Sequence, residues 1–151
     1  MRRPHKQNVI AWILLLVFFF VAAGLAAALA IVFAPVELTI NEDSYHLKFL
    51  IHEEGAAYAD LEEIALLDDT SYESERIRSY GGISKDFGTY TNEAYGEHFR
   101  LTFWENRHNY ILLKRKDGSV TVFNQKTLEA TSELFHSLEE SYTAYLNSLS
   151  A

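Results

Sequence analysis

The chain has 151 residues, of which 13 are Lys or Arg and 21 are Asp or Glu, giving a net charge of −8. It holds no cysteine, which excludes disulfides, thiolate metal sites and a cysteine nucleophile. So acidic a balance also argues against nucleic acid as a partner, because phosphate backbones call for a basic surface.

Residues 9–34 contain no charged side chain, and Trp12 is the most polar among them. As a helix rising about 1.5 Å per residue, this stretch outreaches a hydrocarbon core of roughly 30 Å. Inside lipid each peptide group must bond within its own segment, so a single membrane-crossing helix is predicted. Arg2, Arg3 and Lys6 precede it, and the next basic residue is Lys48. Positive flanks stay inside during insertion. Residues 1–8 therefore read as a cytoplasmic tail, 9–34 as a signal anchor in the plasma membrane, and 36–151 as an extracytoplasmic domain. That domain carries 10 basic and 21 acidic residues, a net charge of −11. A cleaved signal peptide is the rival reading, with Ala28-Leu29-Ala30 as its site, but the apolar stretch is longer than the roughly 7–15 residues of a signal. Gly24 and Ala28 lie one turn apart, as do Ala23 and Ala27. Such spacing suits helix association and a homo-oligomer, or simply a plain lipid anchor.

Pro35 ends the helix, and strands follow. Val36, Leu38 and Ile40 alternate with polar residues, as do Tyr45, Leu47, Phe49 and Ile51, which predicts a hairpin around the turn 41–44. Residues 52–60 read as a loop, 64–67 as a strand, 68–75 as a loop and 77–80 as a short strand. Gly81, Gly82 and Gly88 mark an irregular piece with a bulge or bend, and 89–91 extend the pairing. Residues 98–103 form a strand ending at Trp104, with a hairpin loop over 105–108 and a strand over 110–114. Asp117-Gly118 predicts a two-residue type I′ turn into a return strand over 119–123. Apolar residues then repeat at helical spacing from Leu128 to Leu149, giving one amphipathic helix over 125–148 capped by Asn124.

The fold class is α+β, mainly β: about seven strands and one long C-terminal helix. The glycine-bracketed SYGGISKDFGTY (79–90), the pair HFRLTFW and YILLKRKDGSVTVFN, and the helix after them resemble small membrane-tethered bacterial domains of the pleckstrin-homology (PH) type. The resemblance implies a bent antiparallel sheet or partly open barrel plugged by the helix. It also implies a binding or assembly module that engages another envelope protein and is not an enzyme. Phosphoinositide-binding members use basic residues at the first hairpin loop, whereas here that loop is Asn41-Glu42-Asp43-Ser44.

Candidate chemistry is sparse. The six histidines show no metal-ligand spacing, and His46, His98 and His108 read as solvent-facing. The acidic pairs, Glu53-Glu54 among them, lack the alternate carboxylates and central glycine of a Ca²⁺ loop and read as solvated charge. No serine elbow, metal site or cofactor motif emerges. Lys114-Arg115-Lys116 is the one basic cluster, either a contact for anionic lipid or a solubilising hairpin tip. Trp104, Tyr80, Tyr90 and Tyr95 form the candidate partner surface, and an open sheet edge is a second route to a protein partner. Two alternatives stay open, an anionic-lipid binder through Lys114 to Lys116 and an enzyme of unfamiliar site.

Overall fold

The computed structural model describes residues 5–34, 36–50, 52–68, 72–82 and 84–150. Arg2, Arg3, Pro35, Ile51 and residues 69–71, on which several of the expectations above fall, lie outside them. The chain divides after Ala34 into two units. The first is helix α1, His5–Phe33. Its stretch Val9–Ala30, 22 residues of mean hydropathy 2.8, carries no charged side chain. At about 1.5 Å per residue it extends roughly 33 Å, long and apolar enough to span a membrane.

The second unit is α+β and mainly strand, as expected. Its strands number nine among the described residues, not about seven, and they form two sheets. The smaller sheet joins β1 (Glu37–Ile40), β2 (Ser44–Phe49) and β3 (His52–Ala57), all antiparallel. In β2 the alternation holds: Tyr45, Leu47 and Phe49 are buried, while His46 and Lys48 point away. The sequence HEEGAA has no apolar alternation, so it reads as loop; it pairs because its backbone completes the ladder of β2. Leu50, at φ +53, makes the tight turn between them.

The larger sheet joins β4 (Leu61–Asp68), β5 (Glu75–Gly81), β6 (Lys85–Asn92), β7 (Gly96–Phe103), β8 (Asn109–Arg115) and β9 (Val120–Phe123), in the order β4-β8-β9-β7-β6-β5. Strand β9 inserts between β7 and β8 and runs parallel to β7, so residues 105–108 do not close a hairpin between paired neighbours. Asn124 secures this crossing: its backbone N–H donates to the Leu101 carbonyl, 3.2 Å, and its side-chain oxygen accepts from Phe103 N–H, 2.8 Å. It therefore does not cap the helix. Helix α2 (Leu128–Ser148) starts later, with the Thr127 hydroxyl accepting from Ala130 N–H at 3.1 Å.

The expected irregularity near Gly88 lies across the ladder from it. Register shifts between Arg76 and Arg78, a bulge that leaves Ile77 unmatched. Gly88 has φ +142, and a Cβ there would stand 2.3 Å from the Arg78 carbonyl oxygen, so only glycine permits this approach. The β8–β9 connection runs over the four residues 116–119 and is not the two-residue turn expected. Gly118, at φ +87, closes it by donating its N–H to the Arg115 carbonyl at 2.9 Å.

The larger sheet is packed on both faces. One meets the small sheet, with Phe49 edge-on to Phe87 at 5.0 Å. The other carries Tyr72, Tyr110, Leu112, Val120 and Val122. Strand β8 thus has four consecutive buried residues, Tyr110 to Leu113, which is what its unbroken apolar run encodes. Helix α2 packs on β1, β4 and β8, burying Phe135 and Leu138, and sets Tyr142 and Tyr145 each 5.7 Å from the Tyr58 ring.

Candidate functional site

Successive residues of a strand face opposite ways, and the pair Glu53-Glu54 on β3 is split by that rule. Glu53 faces solvent beside His46, 3.0 Å away. Glu54, read as solvated charge, instead enters the space between the sheets. Its Oε2 accepts from the Thr121 hydroxyl at 2.8 Å, lies 3.1 Å from the Arg115 guanidinium and 3.3 Å from His52 Nε2. The His52 ring lies flat on Phe99 at 3.6 Å. Burial pushes the Glu54 pKa up, but the hydrogen bonds from His52 and Thr121 and the Arg115 charge outweigh it, holding the group below its usual 4.5. Nearby Tyr45 is pushed up to about 12, first by burial and then by the Glu54 charge. A carboxylate so engaged through Oε2 is a clamp between the sheets.

The predicted basic cluster is dispersed by the same packing. Arg115 is taken into this clamp. Lys114 Nζ donates to Glu62 at 2.7 Å, and Lys116 Nζ donates to the Ala59 carbonyl at 2.6 Å. The three cations thus serve contacts within the domain.

On the other face of the sheet, His98 is buried, against the expectation that it meets solvent. Its Nδ1 donates to the Gly96 carbonyl, 2.8 Å, so Nε2 of the neutral ring accepts from the Tyr72 hydroxyl. Burial, with the neighbouring Arg100 charge, lowers the His98 pKa. Burial likewise pushes the Tyr72 pKa up to about 12. The Arg100 guanidinium stands 4.7 Å from the Tyr90 ring centre, 5.5 Å from Tyr72 and 5.8 Å from Tyr110. It also donates to Thr102 at 2.6 Å and Ser74 at 2.8 Å. The alternation of His98, Arg100 and Thr102 with Phe99 and Leu101 suggests a solvated face. The tyrosines that cover it come from distant segments, so no local signal reveals the cluster.

Tyr90 and Tyr95 therefore leave the candidate partner surface: Tyr90 is buried, and Tyr95 packs half-buried on the second core. Tyr80 and Trp104 stay accessible, at 50% and 40% exposure. Lys85 is buried, its ammonium 4.8 Å from both the Phe49 and Phe103 rings, and burial lowers its pKa. In α1, a Cβ on Gly24 would meet nothing within 4 Å, and the Ala28 side of the helix is equally open.

The hollow beside the first hairpin turn is lined by Glu42 and Asp43 and by Ser141 and Tyr145 of α2, with no basic residue. A phosphate group would meet repulsion there. Among the described residues no three His, Asp or Glu side chains gather as a metal ion requires. Among the exposed surfaces of the domain are the rim and end of the β5–β6 hairpin. Strand β5 is terminal in its sheet, and six of its seven residues are exposed, Ile77 at 53%. No protein-family model, curated protein or solved structure matches the chain.

Proposed function

We propose that this chain is a single-pass plasma-membrane protein, N-terminus in the cytoplasm, that displays a PH-like binding module outside the cell. The module engages another envelope protein by strand addition at β5, and its work is binding, not catalysis. The charge asymmetry around α1 supports the orientation. The observation that carries the reading is β5 itself. It is supported by β6 alone, yet it presents Ile77, Arg78 and Tyr80 outward and offers a free row of backbone groups. The bulge at Ile77 restricts regular pairing to residues 78–81. A second copy fits this rim poorly. Antiparallel self-pairing centred on Ile77 sets Arg76 opposite Arg78, and centring on Arg78 sets that residue opposite itself.

A photo-crosslinking residue placed at position 78 of the full chain, in intact cells, tests this. The expected result is one discrete adduct with another membrane or envelope protein, lost on Ile77→Asp and absent with the probe at Glu133 on α2. Equal labelling from both positions overturns it. A reporter active only in the cytoplasm, fused after Ala151, is expected to be silent.

A further inference from the structure

The domain has one end at which exposed aromatic and cationic groups gather, and chain connectivity says what lies near it. Trp104 donates its backbone N–H to the Ser84 carbonyl at 2.9 Å, which sets it beside the turn of the β5–β6 hairpin. Arg107 lies over the Trp104 ring, 5.8 Å from its centre. Tyr80 borders the same turn, where a Cβ on Gly82 would stand 3.5 Å from its ring. The loop holding Trp104 and Arg107 is fixed by Asn106, whose side-chain amide donates to the Gln125 carbonyl at 3.0 Å. Gln125 in turn donates to the carbonyl of Val36 at 3.5 Å. Val36 is where the chain enters the domain, so it belongs to the same end as Trp104.

Helix α1 runs to Phe33, three residues before Val36. An extended chain covers at most about 3.5 Å per residue, so a three-residue link reaches no more than roughly 10 Å. The headgroup layer on each side of the hydrocarbon core is itself roughly 5–8 Å deep. Tryptophan, tyrosine and arginine are the side chains that settle in this layer, their apolar bodies in the acyl boundary and their polar parts among headgroups.

We propose that Trp104, Tyr80 and Arg107 form an interfacial foot that seats the domain on the lipid surface in which α1 is anchored. Its one cation, Arg107, is distinct from Lys114, Arg115 and Lys116, which internal contacts occupy. Of the acidic groups at this end, Glu105 lies 3.6 Å from Lys126 and Asp86 3.6 Å from Arg76, while Glu37, next to Val36, is exposed. Because the domain as a whole is acidic, the aromatic pair supplies the attraction and the foot forms on zwitterionic lipid as well as on anionic lipid. The proposal rests on α1 spanning the bilayer; it shares Tyr80, next to the end of β5, with the partner rim, while Ile77 and Arg78 of that rim take no part in it.

The chain has only two tryptophans, Trp12 in α1 and Trp104, which makes the test direct. Full-length Trp12→Phe protein is reconstituted into phosphatidylcholine vesicles, with and without phosphatidylglycerol, carrying lipids brominated near the glycerol. Trp104 emission is expected to shift to the blue, to be quenched by the shallow bromines and to be shielded from aqueous acrylamide. Tyr80→Ser and Arg107→Glu each reduce the bromine quenching, with near-UV circular dichroism showing a native fold. Trp104 emission open to acrylamide and untouched by brominated lipid overturns the foot. So does shielding that appears only when envelope proteins are added, since the surface then serves a protein. Trp104→Phe protein reports Trp12 separately: if Trp12 is open to acrylamide and untouched by brominated lipid, the anchor itself fails, an outcome distinct from loss of the foot alone.

Discussion

Strands β8 and β5 are each seven residues long and belong to one sheet, yet they have opposite surroundings. Strand β8 lies between β4 and β9 with apolar groups over both faces, and Ile111, Leu112 and Leu113 are wholly buried. Strand β5 has one neighbour, β6, and six of its seven residues are exposed. Burial of apolar surface is what holds a strand in place, so the first strand is the support of the domain and the second is surplus to it. A strand that contributes little to stability yet keeps Ile77 and Arg78 exposed is free to serve an external contact.

Stability measurements sharpen this contrast. Leu112→Ala in β8 removes a fully buried side chain and is expected to cost about 3 kcal/mol in urea unfolding of the detergent-solubilised protein. Breaking the clamp between the sheets comes next. Glu54→Ala leaves Arg115 partly buried without its carboxylate partner between the sheets, and a loss of about 3 kcal/mol is expected. The double variant with Arg115→Met should recover part of it. Gly88→Ala places a Cβ against the Arg78 carbonyl at a φ that disfavours side chains, and is expected to cost about 2 kcal/mol. Its effect should concentrate on β5, seen as faster amide exchange over residues 75–81 while β8 stays protected.

Acid should loosen the two faces of the large sheet in turn. The folded pKa of His98 lies below its usual 6.5, so the unfolded chain binds the proton first. Its contribution is complete above about pH 6.5 and declines as pH falls below that value. Glu54, held below 4.5, contributes fully above about pH 4.5 and loses its contribution on further acidification. A melting-temperature profile should show both steps, and His98→Phe should abolish the upper one. The smallest effect is expected at β5: Ile77→Asp should change stability by no more than about 0.5 kcal/mol while removing the crosslink at position 78. A large loss of stability there would erase the contrast between the strands.

Half of this contrast is legible in the residues. The run Tyr110 to Leu113 has no polar alternation and so declares a strand buried on both sides. Asn124 followed by helical periodicity suggested a cap, but the fold uses its amide to tie β7 and β9, and Thr127 takes over the cap. Glu53-Glu54 and Lys114 to Lys116 read as solvated charge and open cationic surface because neighbours in sequence carry no record of what packs on them. The clamp of Glu54 with Arg115 and Thr121 joins residues about sixty positions apart.

Composition and periodicity alone determined the apolar helix, the acidic domain behind it, the mixed class with strand in excess and the amphipathic C-terminal helix. Those features depend on solvent preference along a local stretch, which each residue carries with it. The tertiary structure decided which strands are neighbours, where β9 inserts, which charges are internal and which aromatics stay in water. These follow from contacts between distant segments, and such contacts exist only once the chain has closed on itself.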